Sequence, residues 1–330
     1  MKEKFIIHVE HLIKKFQNIT AVNDISFDVK EGEIFGLLGP NGAGKSTTLS
    51  MFATLLNPSG GKATINSFDI VHQRDKVRNS IGMVFQDPTL DDELTAYENL
   101  DFHGRLYGVP RDIRKKKITE LLKLVELDSR KNFQVKTFSG GMKRRLEIAR
   151  GLLHEPKILF LDEPTLGLDP QTRNSLWDYI DKLNKEKGLT IILTTHYMEE
   201  ADKLCHRVAI IDNGKIIVID TPENLKNKIG GEIITLETSN SKNLSDLLEK
   251  CKWCENVRKH DGSVTINVKN ADKRVADVIK IAEKDKIKIS SITIHKPSLE
   301  DVFLYYTGKT IREQEASSAD HMRMMRRMHR

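Results

Sequence analysis

The sequence lacks long apolar runs and has few cysteines. A membrane-spanning helix needs about 20 consecutive apolar residues, and no stretch of the 330 residues provides one. The first ten residues, MKEKFIIHVE, lack the apolar core of a signal peptide. Three cysteines, an odd number, argue against a disulfide framework. We therefore expect a soluble cytoplasmic chain that reaches any membrane through a partner.

The net charge is also small for a chain of this length. A net charge of +6 over 330 residues would suit a nucleic acid or an anionic surface without distinguishing them. Much of the excess lies in the ending HMRMMRRMHR, which has arginines and no acid. Residues 309–330 are therefore predicted to form a flexible basic tail, with a membrane-surface or RNA contact as the alternative.

Residues 39–47, GPNGAGKST, are rich in glycine and hydroxyl groups. They follow a short apolar run typical of a buried strand and precede apolar residues at helical spacing. Backbone N–H groups at such a turn can converge on an anion. Lys45 can reach the β- and γ-phosphates of a nucleotide, and the Ser46 hydroxyl can bind Mg²⁺. The predicted nucleotide-binding residues here are Gly39, Pro40, Asn41, Gly42, Ala43, Gly44, Lys45, Ser46 and Thr47.

Two acids end a second apolar run, ILFLDE, at residues 158–163. Ligands of open α/β sheets gather at such strand ends. Asp162 is predicted to hold Mg²⁺, and Glu163 to act as the general base toward water. His196 ends a third apolar run, at residues 191–195, and is predicted to contact the γ-phosphate. The alternative for the two acids is a solvated turn, and the alternative for His196 is a purely structural role.

A second glycine-rich turn, FSGGM at residues 138–142, opens another helix and is a second candidate anion site. One chain then has two phosphate-binding helix ends but one lysine loop. A head-to-tail homodimer resolves this, because Ser139, Gly140 and Gly141 of one copy can close over the phosphate held by Lys45 of the other.

These motifs, in this order, resemble the nucleotide-binding subunit of an ATP-binding cassette (ABC) transporter over about residues 4–225. The resemblance implies ATP and Mg²⁺ as cofactors and a separate transmembrane permease as partner. It also implies that Gln86 binds Mg²⁺ and faces the permease, that Phe16 stacks on adenine, and that Asp169 lines the dimer interface. Two residues depart from the family pattern: Phe16 replaces a tyrosine, and Met142 replaces a glutamine. The former loses a hydroxyl but keeps the stacking face.

The predicted fold class is α/β: a P-loop NTPase cassette, with a RecA-like core, an antiparallel β-subdomain and a helical subdomain at about residues 91–150. The cassette is predicted to span residues 1–228. Residues 229–308 alternate strand, helix, strand, helix and strand, which fits a small ferredoxin-like domain of regulatory or dimer-stabilising function. Residues 251–254, a C-x-x-C, are interpreted as an ordinary helix-loop stretch because no second ligand pair lies nearby. The ending HKPSLEDVFLYYTGKT resembles that of daunorubicin-type exporter ATPases.

We therefore predict the ATP-hydrolysing subunit of an exporter of drug-like or lipid-like compounds, peripheral on the inner face of the cell membrane through its permease. The alternative is a soluble ABC-type ATPase acting on the ribosome or nucleic acid. Ribosome factors normally carry two cassettes and chromosome ATPases a long coiled-coil insertion. This chain carries one cassette without such an insertion, so we do not expect nucleic acid as a partner.

Overall fold

The structure, a computed structural model, describes residues 4–260 and 262–308. The chain divides into two compact units, and the second begins at Pro222. The sequence places this boundary later, at 228/229. The helix Pro222–Ile229 falls in the second unit because it buries Leu225 and Ile229 and contacts the helix Leu299–Thr307. The predicted basic tail lies outside the described residues.

The first unit contains two sheets. In chain order, the strands in its described part are β1 (Phe5–Phe16), β2 (Ile19–Lys30), β3 (Ile34–Leu38), β4 (Gly60–Ile65), β5 (Phe68–Asp69), β6 (Ile81–Val84), β7 (Ile158–Asp162), β8 (Thr190–Thr195), β9 (Arg207–Asp212) and β10 (Lys215–Asp220). The α-helices are α1 (Lys45–Phe52), α2 (Arg74–Ser80), α3 (Ala96–Leu106), α4 (Arg111–Leu124), α5 (Gly140–Leu152), α6 (Pro170–Lys187) and α7 (Met198–Leu204).

The central sheet has the strand order β10-β9-β3-β8-β7-β6. β9 and β10 pair antiparallel, and all other neighbours pair in parallel. β3, β7 and β8 are buried along their whole length. Continuous apolar runs are typical of parallel strands that are covered on both faces. The carboxyl ends of the parallel strands therefore meet at one edge of the sheet, where the predicted site residues follow them.

The second sheet, β2-β1-β4-β5, is antiparallel and corresponds to the predicted β-subdomain. Its core is joined to the central sheet by aromatic side chains. The Phe27 ring of β2 stacks on Phe35 of β3 at a centroid distance of 5.2 Å. Phe52, at the end of α1, lies 6.1 Å from both Phe27 and Phe160 of β7. This packing fixes α1, and with it the loop that precedes it, against the sheet.

The helical part of the first unit begins with a well-formed cap. Thr95 accepts a hydrogen bond from the Glu98 N–H while Glu98 accepts one from the Thr95 N–H, a capping box that starts α3. α3, α4 and α5 occupy the segment predicted to be helical, and α5 extends two residues beyond it. Among the described residues, no helix combines the length and the hydropathy needed to cross a bilayer.

The second unit contains a four-stranded antiparallel sheet in the order β12-β13-β11-β14. Its elements are α8 (Pro222–Ile229), β11 (Glu232–Thr238), α9 (Ser241–Leu248), β12 (Cys254–His260), β13 (Ser263–Val268), α10 (Ala271–Lys284), β14 (Ile289–His295) and α11 (Leu299–Thr307). The sequence prediction missed β12, which begins at Cys254. With it, the strands and helices from β11 to β14 follow the βαββαβ order of ferredoxin-like domains. Ser298 and Asp301 form a capping box at the start of α11.

Candidate active site

The glycine-rich loop connects β3 to α1, as predicted. Gly42 and Gly44 have φ angles of 82° and 103°, in the region that favours glycine. A Cβ atom on Gly44 would lie 2.4 Å from the carbonyl oxygen of Ala21 in β2, so a larger residue cannot fit without displacing the backbone. The loop is also held from outside, because the N–H of Gly214, in the β9–β10 turn, donates to the Ala43 carbonyl at 3.0 Å.

Lys45, the first residue of α1, is buried under this loop. Its Nζ donates to the carbonyl oxygens of Gly39 at 2.8 Å and Pro40 at 3.0 Å. The same atom lies 3.4 Å from Glu163 Oε1. The buried ammonium group of Lys45 therefore lies between the carbonyl groups of this loop and the carboxylate of Glu163, the residue that follows β7.

Asp162, the last residue of β7, is held by two hydroxyl groups. Ser46 Oγ donates to Asp162 Oδ1 at 2.9 Å, and Thr194 Oγ1 of β8 donates to the same oxygen at 2.5 Å. The structure thus brings together the predicted metal ligands Ser46 and Asp162, whose oxygen atoms suit Mg²⁺. Gln86, the third predicted ligand, lies two residues after β6. Its exposed side chain makes no hydrogen bond among the described residues.

Glu163 lies between two other predicted site residues. Its Oε1 faces Lys45, and its Oε2 lies 3.3 Å from Nδ1 of His196, which directly follows β8. Burial raises the pKa of Glu163, but the neighbouring His196 and Lys45 lower it by more, so the net pKa lies below its ordinary value. The site therefore keeps this carboxylate ionised at neutral pH, the form required of a base.

The backbone of Glu163 is unusual, because its φ of 45° is left-handed for a residue with a side chain. Its N–H is held by Thr194, which accepts through its carbonyl at 3.2 Å and through Oγ1 at 3.0 Å. Arg144 of α5 donates to the Glu163 carbonyl at 3.1 Å. Sequence reasoning missed Thr194 and Arg144 as site residues. The only signals were the threonine pair before His196 and the basic run that follows the FSGGM turn.

Ser139, Gly140, Gly141 and Asp169 form a separate group in the same unit. Ser139 caps α5 by accepting a hydrogen bond from the Met142 N–H, and Asp169 caps α6 by accepting one from the Thr172 N–H. A Cβ atom on Gly141 would lie 2.3 Å from Thr172 Cγ2, so the two helix starts pack closely. Ser139, Gly140 and Asp169 are exposed.

Phe16, the last residue of β1, is 42% exposed, and the Lys14 ammonium lies 4.9 Å from its ring centroid. Phe16 pairs with Ile19 of β2, the strand whose Ala21 carbonyl lies against Gly44. The partly exposed ring therefore lies at the end of β1, next to the strand that borders the glycine-rich loop.

Comparisons with known proteins agree with this architecture. Residues 22–166 match the family described as ABC transporter, and residues 221–307 match the ATP-binding protein DrrA1-3-like, C-terminal domain. The chain is 40% identical to the linearmycin resistance ATP-binding protein LnrL of Bacillus subtilis, over 93% of this chain and 100% of that protein. It is 35% identical to the daunorubicin/doxorubicin resistance ATP-binding protein DrrA of Streptomyces peucetius, covering 95% and 96% of the two chains. A third relative is the Nod factor export ATP-binding protein I of Ralstonia nicotianae, 36% identical over 93% of this chain and 95% of that one.

Two solved structures resemble part of this chain. One is cbiO1 of Clostridium perfringens, part of the ABC transporter complex cbiONQ, with a TM-score of 0.64 and 33% identity over 69% of this chain and 94% of that chain. The other is an ATP-binding cassette in a dimeric post-hydrolysis state bound to ADP and Pi, with a TM-score of 0.58 and 30% identity over 65% and 98% of the two chains.

Proposed function

The chain belongs to the ATP-binding subunits of ABC transporters, and from this premise we propose that two copies close head to tail on ATP and drive a separate membrane permease that exports drug-like or lipid-like compounds. Of the relatives described above, two are named for resistance to linearmycin or to daunorubicin and doxorubicin, and one for Nod factor export. These names favour an exporter over the alternative of an ATPase acting on the ribosome or nucleic acid.

One observation carries the catalytic part of the proposal: a buried carboxylate, Glu163, lies between the ammonium of Lys45 and the imidazole of His196 beside a glycine-rich loop. We assign Glu163 as the general base that orients the attacking water. Lys45 and His196 then stabilise the charge that develops on the γ-phosphate in the transition state.

Mg²⁺ fits the oxygen atoms of Ser46 and Asp162, which already share a hydrogen bond. Gln86 would complete this set from the neighbouring strand end. When bound, the ion would neutralise part of the negative charge of the nucleotide phosphates. Among the protein groups, Phe16 offers an exposed ring face for stacking on adenine, at the border of the loop.

The second copy supplies the FSGGM turn. α5 is 13 residues long, and its start at Ser139 and Gly140 is exposed, so its N-terminal N–H groups can donate hydrogen bonds to an anion held by another molecule. We place the partner's Ser139 over the γ-phosphate and Asp169 at the dimer interface. Loss of that phosphate on hydrolysis removes the contact between the copies, and the dimer reopens.

The surface near Gln86 suits a permease. It contains a groove of about 310 Å³ lined in part by Leu55, Phe85 and Tyr107. Leu55 and Leu106, on the groove and beside it, are 55% and 68% exposed. A protein surface that exposes large apolar side chains around a groove is typical of a docking site.

Replacing Glu163 by glutamine tests the base and the dimer together. Glu163→Gln removes the base but keeps the shape of the side chain, so we expect ATP hydrolysis to fall at least about 100-fold. It should also trap an ATP-bound dimer in light scattering. Glu199→Gln, the same change at an exposed carboxylate of α7, is the control. An ATP-loaded Glu163→Gln protein that stays monomeric would contradict the proposal.

Mixing two inactive variants tests the shared site directly. Lys45→Ala removes the lysine, and Ser139→Asp places a carboxylate where the partner's phosphate is expected. Aspartate is also a good helix cap, so α5 should still form, and Ser139→Asn is the neutral control. A mixed dimer would contain one intact site and one with both defects. Activity of the mixture above that of either variant alone supports the head-to-tail arrangement, and its absence counts against it.

A further inference from the structure

One arginine of α5 points into the interior of the first unit. Arg144 is 6% exposed, and Glu147, one turn later, is 1% exposed. The Arg144 Nη1 donates to Glu147 Oε2 at 3.0 Å. A buried charge is costly unless it is paired and its hydrogen bonds are satisfied. The burial of this guanidinium therefore needs an explanation beyond the single ion pair.

The guanidinium binds three successive carbonyl groups at the end of β7. Its Nη2 donates to the carbonyl oxygens of Asp162 at 2.8 Å and Glu163 at 3.1 Å, and its Nε donates to that of Pro164 at 2.8 Å. The planar fork of arginine can satisfy several acceptors in one fixed geometry, which the ammonium of lysine cannot. Arg144 thereby fixes the path of the backbone on both sides of Glu163.

The same side chain also reaches the segment that carries Gln86. Its Nη1 donates to the carbonyl oxygen of Phe85. Glu147 accepts hydrogen bonds from the N–H and the hydroxyl of Thr89, at 2.8 and 3.3 Å. Residues 85–89 and the backbone around Glu163 are therefore attached to one buried pair on α5.

Glu163 requires such support. Its left-handed backbone costs free energy for a residue with a side chain, and such conformations persist only where the surroundings enforce them. Thr194 holds its N–H, and Arg144 holds its carbonyl and those of its two neighbours. We propose that Arg144 is the positioning residue for Glu163 and couples its placement to residues 85–89. This inference rests on the proposed function of Glu163 as the base.

Arg144→Lys is the test variant, because it keeps the charge and removes the fork. A displacement of about 1 Å at a catalytic group can cost about 100-fold in rate. We therefore expect kcat for ATP hydrolysis by the full chain to fall about 100-fold, with the Kd for MgATP changed less than about twofold.

Arg150→Lys is the matched control. Arg150 lies on the same helix and donates to the carbonyl and hydroxyl of Thr89, but it contacts none of the β7 carbonyl groups. Its substitution should change kcat less than about threefold. An equal loss in Arg150→Lys, or an unchanged kcat in Arg144→Lys, would overturn the inference.

A double-variant cycle separates positioning from general destabilisation. If Arg144 acts through Glu163, adding Arg144→Lys to Glu163→Gln should lower the residual rate less than about threefold. If Arg144 acts independently of Glu163, the double variant should show the full rate loss of Arg144→Lys on top of that of Glu163→Gln. The neutral variant Arg144→Gln is measured in parallel. If neither Arg144 variant binds MgATP, the residue is needed for folding rather than positioning, and the inference falls. If Glu163→Gln itself keeps the full rate, the proposed base is wrong, a result distinct from failure of Arg144 alone.

Discussion

Replacing Gly141 by alanine tests whether the starts of α5 and α6 pack as one piece. A Cβ atom at this position would lie 2.3 Å from Thr172 Cγ2, whereas Cβ and Oγ1 of Thr172 would be 3.7 and 3.9 Å away. A single methyl group is therefore the obstacle. Thr172 is not free to turn this methyl aside, because its Oγ1 donates to Asp169 Oδ2 at 2.6 Å.

Two opposing effects determine how much Gly141→Ala changes the free energy of unfolding. Overpacking in a well-packed region costs about 1–3 kcal/mol, whereas alanine is better than glycine inside a helix by about 1 kcal/mol. Gly141→Ala alone should therefore destabilise the first unit by about 0–2 kcal/mol. In a Thr172→Ser background the methyl group is absent and the hydroxyl group that binds Asp169 remains. There, Gly141→Ala should stabilise the unit by up to about 1 kcal/mol.

Thermal unfolding of the four proteins measures this cycle. About 1 kcal/mol should shift the Tm of a unit of this size by about 2–4 °C. We expect Gly141→Ala to leave the Tm unchanged or lower it in the parent chain, and to raise it when serine replaces Thr172. The coupling energy should be about 1–3 kcal/mol. Equal shifts in the two backgrounds would refute the packing argument.

Two further predictions concern a buried carboxyl and the glycine-rich loop. Burial raises the pKa of Glu200, so the folded state keeps its proton to a higher pH than the unfolded state and loses stability as pH rises past about 4.3. A glutamine at position 200 can still accept hydrogen bonds from Thr165 and Trp177 but carries no charge at any pH. Glu200→Gln should therefore raise the Tm more at pH 7 than at pH 4.5, and an equal rise at both would contradict this argument. Gly44→Ala should raise the Kd for ATP at least about tenfold in equilibrium binding, while Gly108→Ala, also left-handed but in open space, should not.

The sequence predicts those parts of the site in which the functional side chains lie next to residues that reveal the local backbone structure. In residues 39–47, glycines that need left-handed angles adjoin the lysine and the serine, so position and chemistry are evident at once. Asp162, Glu163 and His196 each follow a buried apolar run, and parallel strands necessarily bring such ends to one edge.

The rest depends on contacts between distant residues. Arg144 belongs to a basic run that looks like a solvated helix face. It is buried because it donates hydrogen bonds to carbonyl groups of β7 and of residue 85, and these residues are too distant in the sequence for a local pattern to predict the contact. β12, with the sequence CENVRKH, was missed because an edge strand tolerates charged residues and shows no apolar run. The boundary at Pro222 follows from the packing of α8 on α11, which is equally invisible in the composition.

The β9–β10 turn affects how mutations outside the nucleotide site should be interpreted. Gly214 lies far from the glycine-rich loop in the chain, yet its N–H holds the Ala43 carbonyl and its own carbonyl accepts from the Asn23 N–H of β2. The β9–β10 turn therefore supports the glycine-rich loop from the side formed by β2. We expect an insertion in this turn to raise the Kd for ATP, although the inserted residues would not contact the nucleotide.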